Sequence, residues 1–157
     1  MAHFAKVING IVTRVIVAEQ DFVDNYDDGA PGSPWIQCSY NTHEGQHLLG
    51  GTPLRYNMPS AGWYYDETND AFYPPKPSDE NGEFTSWTLS TTTFKWVPPV
   101  AFPSKQTKVI DGNEEALVSK WEEQNQRYVA GRRINNSWDK VNYIYRWNPD
   151  TSEWVDI

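Results

Sequence analysis

The segment His43-Glu44-Gly45-Gln46-His47 carries the sharpest chemical spacing in the chain. It matches H-E-x-x-H, in which a helix sets both imidazoles on one side to hold zinc while the glutamate serves as general base. Gly45 inside the motif and Gly50-Gly51 just after it discourage such a helix. Pro53 stands where a longer version of the pattern has its third ligand. The spacing therefore reads better as a loop that meets the pattern by chance, and no metal ligand is assigned. Asp66 and Asp70 form the next carboxylate pair. A glycosidase needs two carboxyls about 5–10 Å apart in a cleft, but turn capping explains this pair with less. Cys38 has no adjacent histidine or cation and reads as a small buried hydrophobe. No glycine pattern for phosphate or dinucleotide binding occurs. The expectation is no catalytic residue and no cofactor.

The aromatic residues offer a different kind of chemistry, contact by stacking and burial. Tyr65 and Phe72, Leu89 and Trp96, and Trp147 and Trp154 are each seven positions apart. Between the members of each pair lie an Asp, Ser or Asn and then polar turn residues. A four-residue hairpin loop explains the spacing and sets the two members opposite one another. The repeat gives hairpins over about 63–75, 87–99 and 143–157. Proline-rich connectors follow the first two, over 74–83 and 98–105. An aromatic ladder of this kind can stack on sugars. The favoured reading is that it forms the core of small sheets or the glue between subunits.

The elements that must position these residues begin with an N-terminal hairpin over 1–18. Asn9-Gly10 supplies a type I′ turn. It pairs Ile8 with Ile11 and Val7 with Val12, and is expected to pair Phe4 with Val15. Both faces carry apolar residues, so the hairpin is expected to be half-covered by neighbours or by another subunit. Residues 21–62 are turn-rich, with a loop at 27–34, a short strand over Trp35–Tyr40 and an extended piece at Arg55-Tyr56-Asn57. One α-helix is expected over about 114–129. Asn113 would be its N-cap, Leu117, Trp121, Gln124 and Tyr128 its apolar stripe, and Gly131 its stop. The fold class is mainly β: small twisted antiparallel sheets built from successive β-hairpins, with that one helix.

Length and charge bound the function. The 157 residues fit one domain or two small modules, and the reading adopted is a single β-rich domain over 1–157. Leu, Ile, Val and Phe make up only about a fifth of the chain, near the composition of disorder. Eight Trp, nine Tyr and six Phe outweigh that shortage, because each ring can bury roughly 150–250 Å². A net charge of -8, with Arg132-Arg133 the sole basic pair, argues against a nucleic-acid partner. No apolar run approaches the roughly 20 residues of a membrane span, and Met1–Ala5 lacks the look of a signal peptide. A single cysteine excludes an internal disulfide framework.

Longer stretches carry a resemblance. Met1-Ala2-His3-Phe4-Ala5-Lys6-Val7 with Gly10–Val17, Ser39-Tyr40-Asn41-Thr42, Gly51–Asn57 and Tyr65–Pro77 share one style. Ser86–Leu89, Val97–Val100 and Tyr145–Val155 share it too. Together they resemble small, uncharacterised virion structural proteins of marine tailed phages, cyanophages especially. The resemblance breaks over about Gln106–Val141. It implies a virion component made in the host bacterial cytoplasm and assembled in multiple copies or as a homo-oligomer. The partners it implies are other virion proteins, either the major capsid protein or tail proteins. It carries over no catalytic residues. The leading expectation is a non-enzymatic capsid decoration (cement) protein on the particle exterior. A second is a tail, collar or fibre component that contacts host glycan. The alternative of a different class is a zinc hydrolase using His43, Glu44 and His47. For the structural reading, contacts are expected from Ile8, Ile11, Trp63, Trp87, Trp96, Trp147 and Trp154.

Overall fold

The computed structural model describes residues 1–26, 29–30, 32–137 and 140–157. The chain is mainly β, in several small antiparallel sheets with one short α-helix. Contacts divide it into two compact units, one of Met1–Glu83 with Leu89–Trp96, the other of Phe84–Thr88 with Val97–Ile157. The sequence reading took the chain as a single domain; the chain changes unit after Glu83, Thr88 and Trp96, the last two within the second aromatic hairpin.

In the first unit, Asn9 (φ 50°) and Gly10 (φ 76°) make the expected turn between β1 (Ala2–Ile8) and β2 (Ile11–Ala18). Ile8 faces Ile11 and Val7 faces Val12, but Phe4 faces Ile16 rather than Val15. A bulge causes the slip. Thr13 has no opposite residue, and its hydroxyl donates to the Lys6 carbonyl at 3.3 Å. Each face of the hairpin packs on other parts of the same chain, while Ile11 and Val17 stay exposed. Helix α1 (Gln20–Asn25) places Val23 against Phe4 and Ala18 on one face. Ala5, Val7 and Val12 meet Ile36, Cys38 and Phe72 on the other. Strand β3 (Trp35–Cys38) pairs with β1. Of the loop expected at 27–34, Asp27, Asp28 and Pro31 lie outside the described residues.

Strands β4 (Thr42–His43) and β5 (Gln46–His47) form a separate two-residue hairpin. Strand β6 (Tyr64–Asp66) joins β2 at Ile11, and β7 (Ala71–Tyr73) completes the sheet order β3-β1-β2-β6-β7. The first proline connector is not wholly extended: β8 (Ser78–Asp79) and β9 (Gly82–Glu83) fold a small hairpin within it. Nor is Arg55-Tyr56-Asn57 extended, since Arg55 (φ 53°) and Tyr56 (φ 65°) are left-handed. Asn57 accounts for this turn. Its buried side-chain amide donates to the carbonyls of Phe72 (3.0 Å), Thr93 (3.0 Å) and Phe94 (3.3 Å) and accepts from the Glu44 N–H (3.1 Å). Left unpaired, those buried polar atoms would cost about 1–3 kcal/mol each.

Strands β10 (Thr88–Leu89) and β11 (Trp96–Val97) are the legs of the second aromatic hairpin. Beyond them, β12 (Thr107–Ile110) and β13 (Asn113–Ala116) pair around Asp111-Gly112. Strands β14 (Val118–Glu122), β15 (Arg127–Arg133), β16 (Val141–Asn148) and β17 (Glu153–Asp156) form a four-stranded meander in that order. The helix expected over 114–129 is therefore corrected to β13, β14, a 3-10 turn at Glu123–Asn125 and the start of β15. Trp121 and Tyr128, read as neighbours on a helical stripe, are instead cross-strand partners. That hairpin buries Trp121, Tyr128 and Ala130 together with Tyr145, Trp147 and Trp154. A lone amphipathic helix would have left its other face bare. Gly131 stops no helix: it sits inside β15, where a Cβ would lie 1.6 Å from the Asn142 carbonyl oxygen. The adjoining bulge makes Gly131 face Tyr143 while Ala130 faces Tyr145, leaving Ile144 without an opposite residue. Among the described residues no helix is long and apolar enough to cross a membrane.

Candidate interaction surface

The motif at 43–47 lies in the β4–β5 hairpin. Glu44 (φ 50°) and Gly45 (φ 79°) form its two-residue turn. Because His43 pairs with Gln46 while Thr42 pairs with His47, the two imidazoles point to opposite faces. The helical arrangement that gives H-E-x-x-H its chemistry is not the one this segment adopts. His47 has a structural task instead, its Nδ1 accepting the N–H groups of Leu49 (3.2 Å) and Gly51 (3.0 Å). Among the described residues no group of three or more His, Cys, Asp or Glu is placed to hold a metal ion.

The carboxylate pair is likewise committed. Asp66 accepts from the backbone and side chain of Asn69, and those hydrogen bonds lower its pKa. Asp70 accepts the Tyr65 hydroxyl (2.5 Å) and pairs with Arg55 Nε (2.9 Å). Cys38 is buried, and burial pushes its thiol up to about 12, only partly countered by Arg55.

The residues expected to make contacts divide by environment. Trp147 and Trp154 are core, with centroids 5.1 Å apart, so they are withdrawn from any contact surface. Tyr65 and Phe72, and Trp147 and Trp154, are cross-strand partners as the spacing predicts. Trp87 is half-buried against Phe84 and Trp121. Trp96 is half-buried under Lys76, and its indole N–H fastens the first proline connector at the Pro74 carbonyl (2.8 Å). Trp154 fastens the second connector in the same way, through the Lys105 carbonyl (2.8 Å). Trp63 lies half-buried below Lys95. Ile8 is half-buried and Ile11 exposed at the N-terminal turn.

The surface that sequence reasoning missed is the loop 39–51. Three large apolar side chains project from it, Tyr40 (70 % exposed), Leu48 (66 %) and Leu49 (79 %). Their backbone is held firmly. Leu48 N–H donates to the Asn41 carbonyl (2.8 Å), Thr42 N–H to Ser39 (2.9 Å) and Gly50 N–H to His47 (3.0 Å). The base is anchored by fully buried Thr42, whose hydroxyl accepts from Leu54 N–H (3.0 Å), and by Gly45 N–H to the Tyr56 carbonyl (2.9 Å). The Tyr56 ring packs on Gly45 and against Phe94. Two adjacent aliphatics bracketed by His47 and Gly50-Gly51 follow neither helical nor strand periodicity; that mismatch was the available signal. A loop so braced has little backbone entropy left to lose were its exposed apolar side chains to be covered. No family model, curated protein or solved structure matches the chain.

Proposed function

We propose that the chain is a non-enzymatic structural protein of a phage virion, mounted on the particle exterior, and that it acts as a capsid decoration protein. The observation that carries this reading is the braced loop 39–51, with Tyr40, Leu48 and Leu49 turned to solvent. Isolated exposed aliphatics are common, but an adjacent pair on a loop held by several backbone hydrogen bonds is suited to docking. The resemblance to marine phage virion proteins supplies the setting. The acidic surface suits a place outside the shell, away from packaged phosphates.

Quantitative mass spectrometry of purified virions, with the major capsid protein as internal reference, tests the reading. Hundreds of copies in fixed ratio to the capsid subunit are expected. A handful of copies would move the protein to the tail, collar or a fibre. Absence from the particle would overturn the structural reading.

A further inference from the structure

One side chain holds most of the backbone behind Leu48 and Leu49. His47 Nδ1 accepts the N–H groups of Leu49 (3.2 Å) and Gly51 (3.0 Å), and the His47 carbonyl accepts that of Gly50 (3.0 Å). The Leu48 N–H goes to the Asn41 carbonyl (2.8 Å). Every amide of 48–51 thus has an acceptor, and His47 supplies three of the four. The ring also lies against Gly51, where a Cβ would meet its Cε1, Nε2 and Nδ1 at 3.0, 3.1 and 3.2 Å. His47 is only half-buried, so protons from solvent reach it.

Both ring hydrogen bonds depend on a single lone pair. A neutral imidazole with its proton on Nε2 keeps that pair on Nδ1, whereas the imidazolium carries an N–H at both nitrogens and accepts at neither. Protonation therefore sets a ring N–H against two backbone N–H groups. Leu49 and Gly51 have no second acceptor among the described residues, so their amides would turn to water. The bonds of Leu48 and Gly50 end on carbonyls and do not titrate.

The titratable groups around this contact are few. From Gly45 to Leu54 the chain carries no other titratable side chain. Thr42, the partner of His47 across the hairpin, is neutral, and His43 points to the opposite face. Glu44 sits in the turn with its N–H on Asn57. Arg55 and Asp70, which line a pocket with Gly45, pair with each other at 2.9 Å. His3 stacks on Tyr40. None of these groups forms an ion pair or hydrogen bond with the His47 ring among the described residues.

We infer that His47 is a pH-operated latch on the contact loop, holding 48–51 in its displayed form only while its ring is neutral. Imidazoles change charge between about pH 5 and 8. The loop is braced toward the upper end of that range and loosened toward the lower end. The latch itself stands on the hydrogen bonds. Its consequence, weaker contact through Leu48 and Leu49 as pH falls, rests on the reading of loop 39–51 as a docking surface.

The test is NMR of the full chain across that range. Amide protection factors, which correct exchange for its own dependence on pH, are followed beside the ring carbon signal of His47. Protection at Leu49 and Gly51 is expected to fall about tenfold with the midpoint of the ring, and that at Leu48 and Gly50 to fall less. His47→Asn puts an amide oxygen that does not titrate near the place of Nδ1, where it accepts from residue 49 as in an Asx turn. That variant is expected to keep the Leu49 amide protected at every pH. His3→Gln and His43→Gln are expected to leave the response unchanged. Protection at Leu49 and Gly51 that ignores pH in the unmodified chain overturns the latch. So does a response at Leu49 that persists in His47→Asn or vanishes in His43→Gln.

Docking is read separately, by pelleting purified virions at about pH 7.5 and about pH 5.5. Release of the unmodified chain at the lower pH, with retention of His47→Asn, is expected. Equal retention of both overturns the regulatory consequence. A chain whose amides titrate as described but which is absent from virions at either pH supports the latch and overturns the virion reading instead.

Discussion

Trp121 and Tyr128 face each other across a hairpin with ring centroids 4.9 Å apart, at the same seven-residue separation as Trp147 and Trp154. They form a fourth copy of the aromatic repeat. Its loop 123–126 matches loops 67–70, 91–94 and 149–152. In all four the last loop residue is left-handed: Asp70 (φ 49°), Phe94 (φ 51°), Gln126 (φ 46°) and Ser152 (φ 52°). A side chain at each entrance braces the loop, from Asp66, Ser90, Glu122 and Asn148. Three of the four pairs, Tyr65–Phe72, Trp121–Tyr128 and Trp147–Trp154, combine area burial with a ring contact, and aromatic contacts add about 0.5–1.5 kcal/mol beyond area alone.

The shared geometry makes a prediction at Gln126. A left-handed backbone costs a non-glycine residue about 1–2 kcal/mol, partly offset because glycine loosens the unfolded chain. Gln126→Gly should stabilise by about 0.5 kcal/mol, and Gln126→Val should destabilise by about 1–2 kcal/mol. Thermal unfolding should rank the proteins Gly, Gln, Val; any other order contradicts the hairpin assignment.

Gly131 makes a sharper one. A Cβ 1.6 Å from the Asn142 oxygen cannot be absorbed by a side-chain rotation, because both partners are backbone. Gly131→Ala should cost more than about 3 kcal/mol. The unfolding signal to follow is that of Trp121, Trp147 and Trp154. A variant of native stability would mean that β15 and β16 do not approach as described.

Glu123 should make the second unit sensitive to acid. Desolvation pushes its carboxyl up, but hydrogen bonds from Trp121 Nε1, the Ser86 hydroxyl and N–H and the Thr85 hydroxyl outweigh it and hold the pKa down to about 2. A carboxyl depressed below its unfolded value of 4.5 contributes stability that is present above pH 4.5. That contribution is lost as pH falls through 4.5 toward 2. Glu123→Gln should flatten the pH dependence of unfolding in this window, read by tryptophan fluorescence. An unchanged slope would show that the carboxylate does not bind the 84–88 segment.

In the loop 39–51 the display and the brace can be separated. Leu48→Asp with Leu49→Asp should leave stability within about 0.5 kcal/mol, since both side chains face water. The same double variant should abolish incorporation into virions, scored by gel and mass spectrometry after complementation. His47→Ala should instead speed hydrogen exchange at the Leu49 and Gly51 amides, while His43→Ala should not. If His43→Ala removed a stoichiometric metal, the hydrolase reading would return.

Much of this was legible in the residues. Asn9-Gly10 defined the first turn, and the seven-residue spacing correctly paired Tyr65 with Phe72 and Trp147 with Trp154. The same spacing misled at Trp121 and Tyr128, because seven positions also span two helical turns. Acidic residues after Asn113 completed the likeness to a helix start. The Thr13 bulge was hidden because it arises from one side chain's hydrogen bond to a facing strand. Loop 39–51 was hidden for a related reason. Its bracing comes from Thr42, Tyr56 and Asn57, whose roles depend on tertiary neighbours.

The four short aromatic hairpins also shape the route by which the chain reaches its fold. Each brings its pair together by closing a loop of only four residues, where closure entropy is small and hairpins form in about 1–10 μs. Each can close as soon as its own residues have emerged, whereas the pairings of β1 with β3 and of β2 with β6 must close far longer loops. The chain's most adhesive rings are thus taken out of circulation early. Intermolecular tangling becomes less frequent, an advantage for any protein synthesised at high concentration.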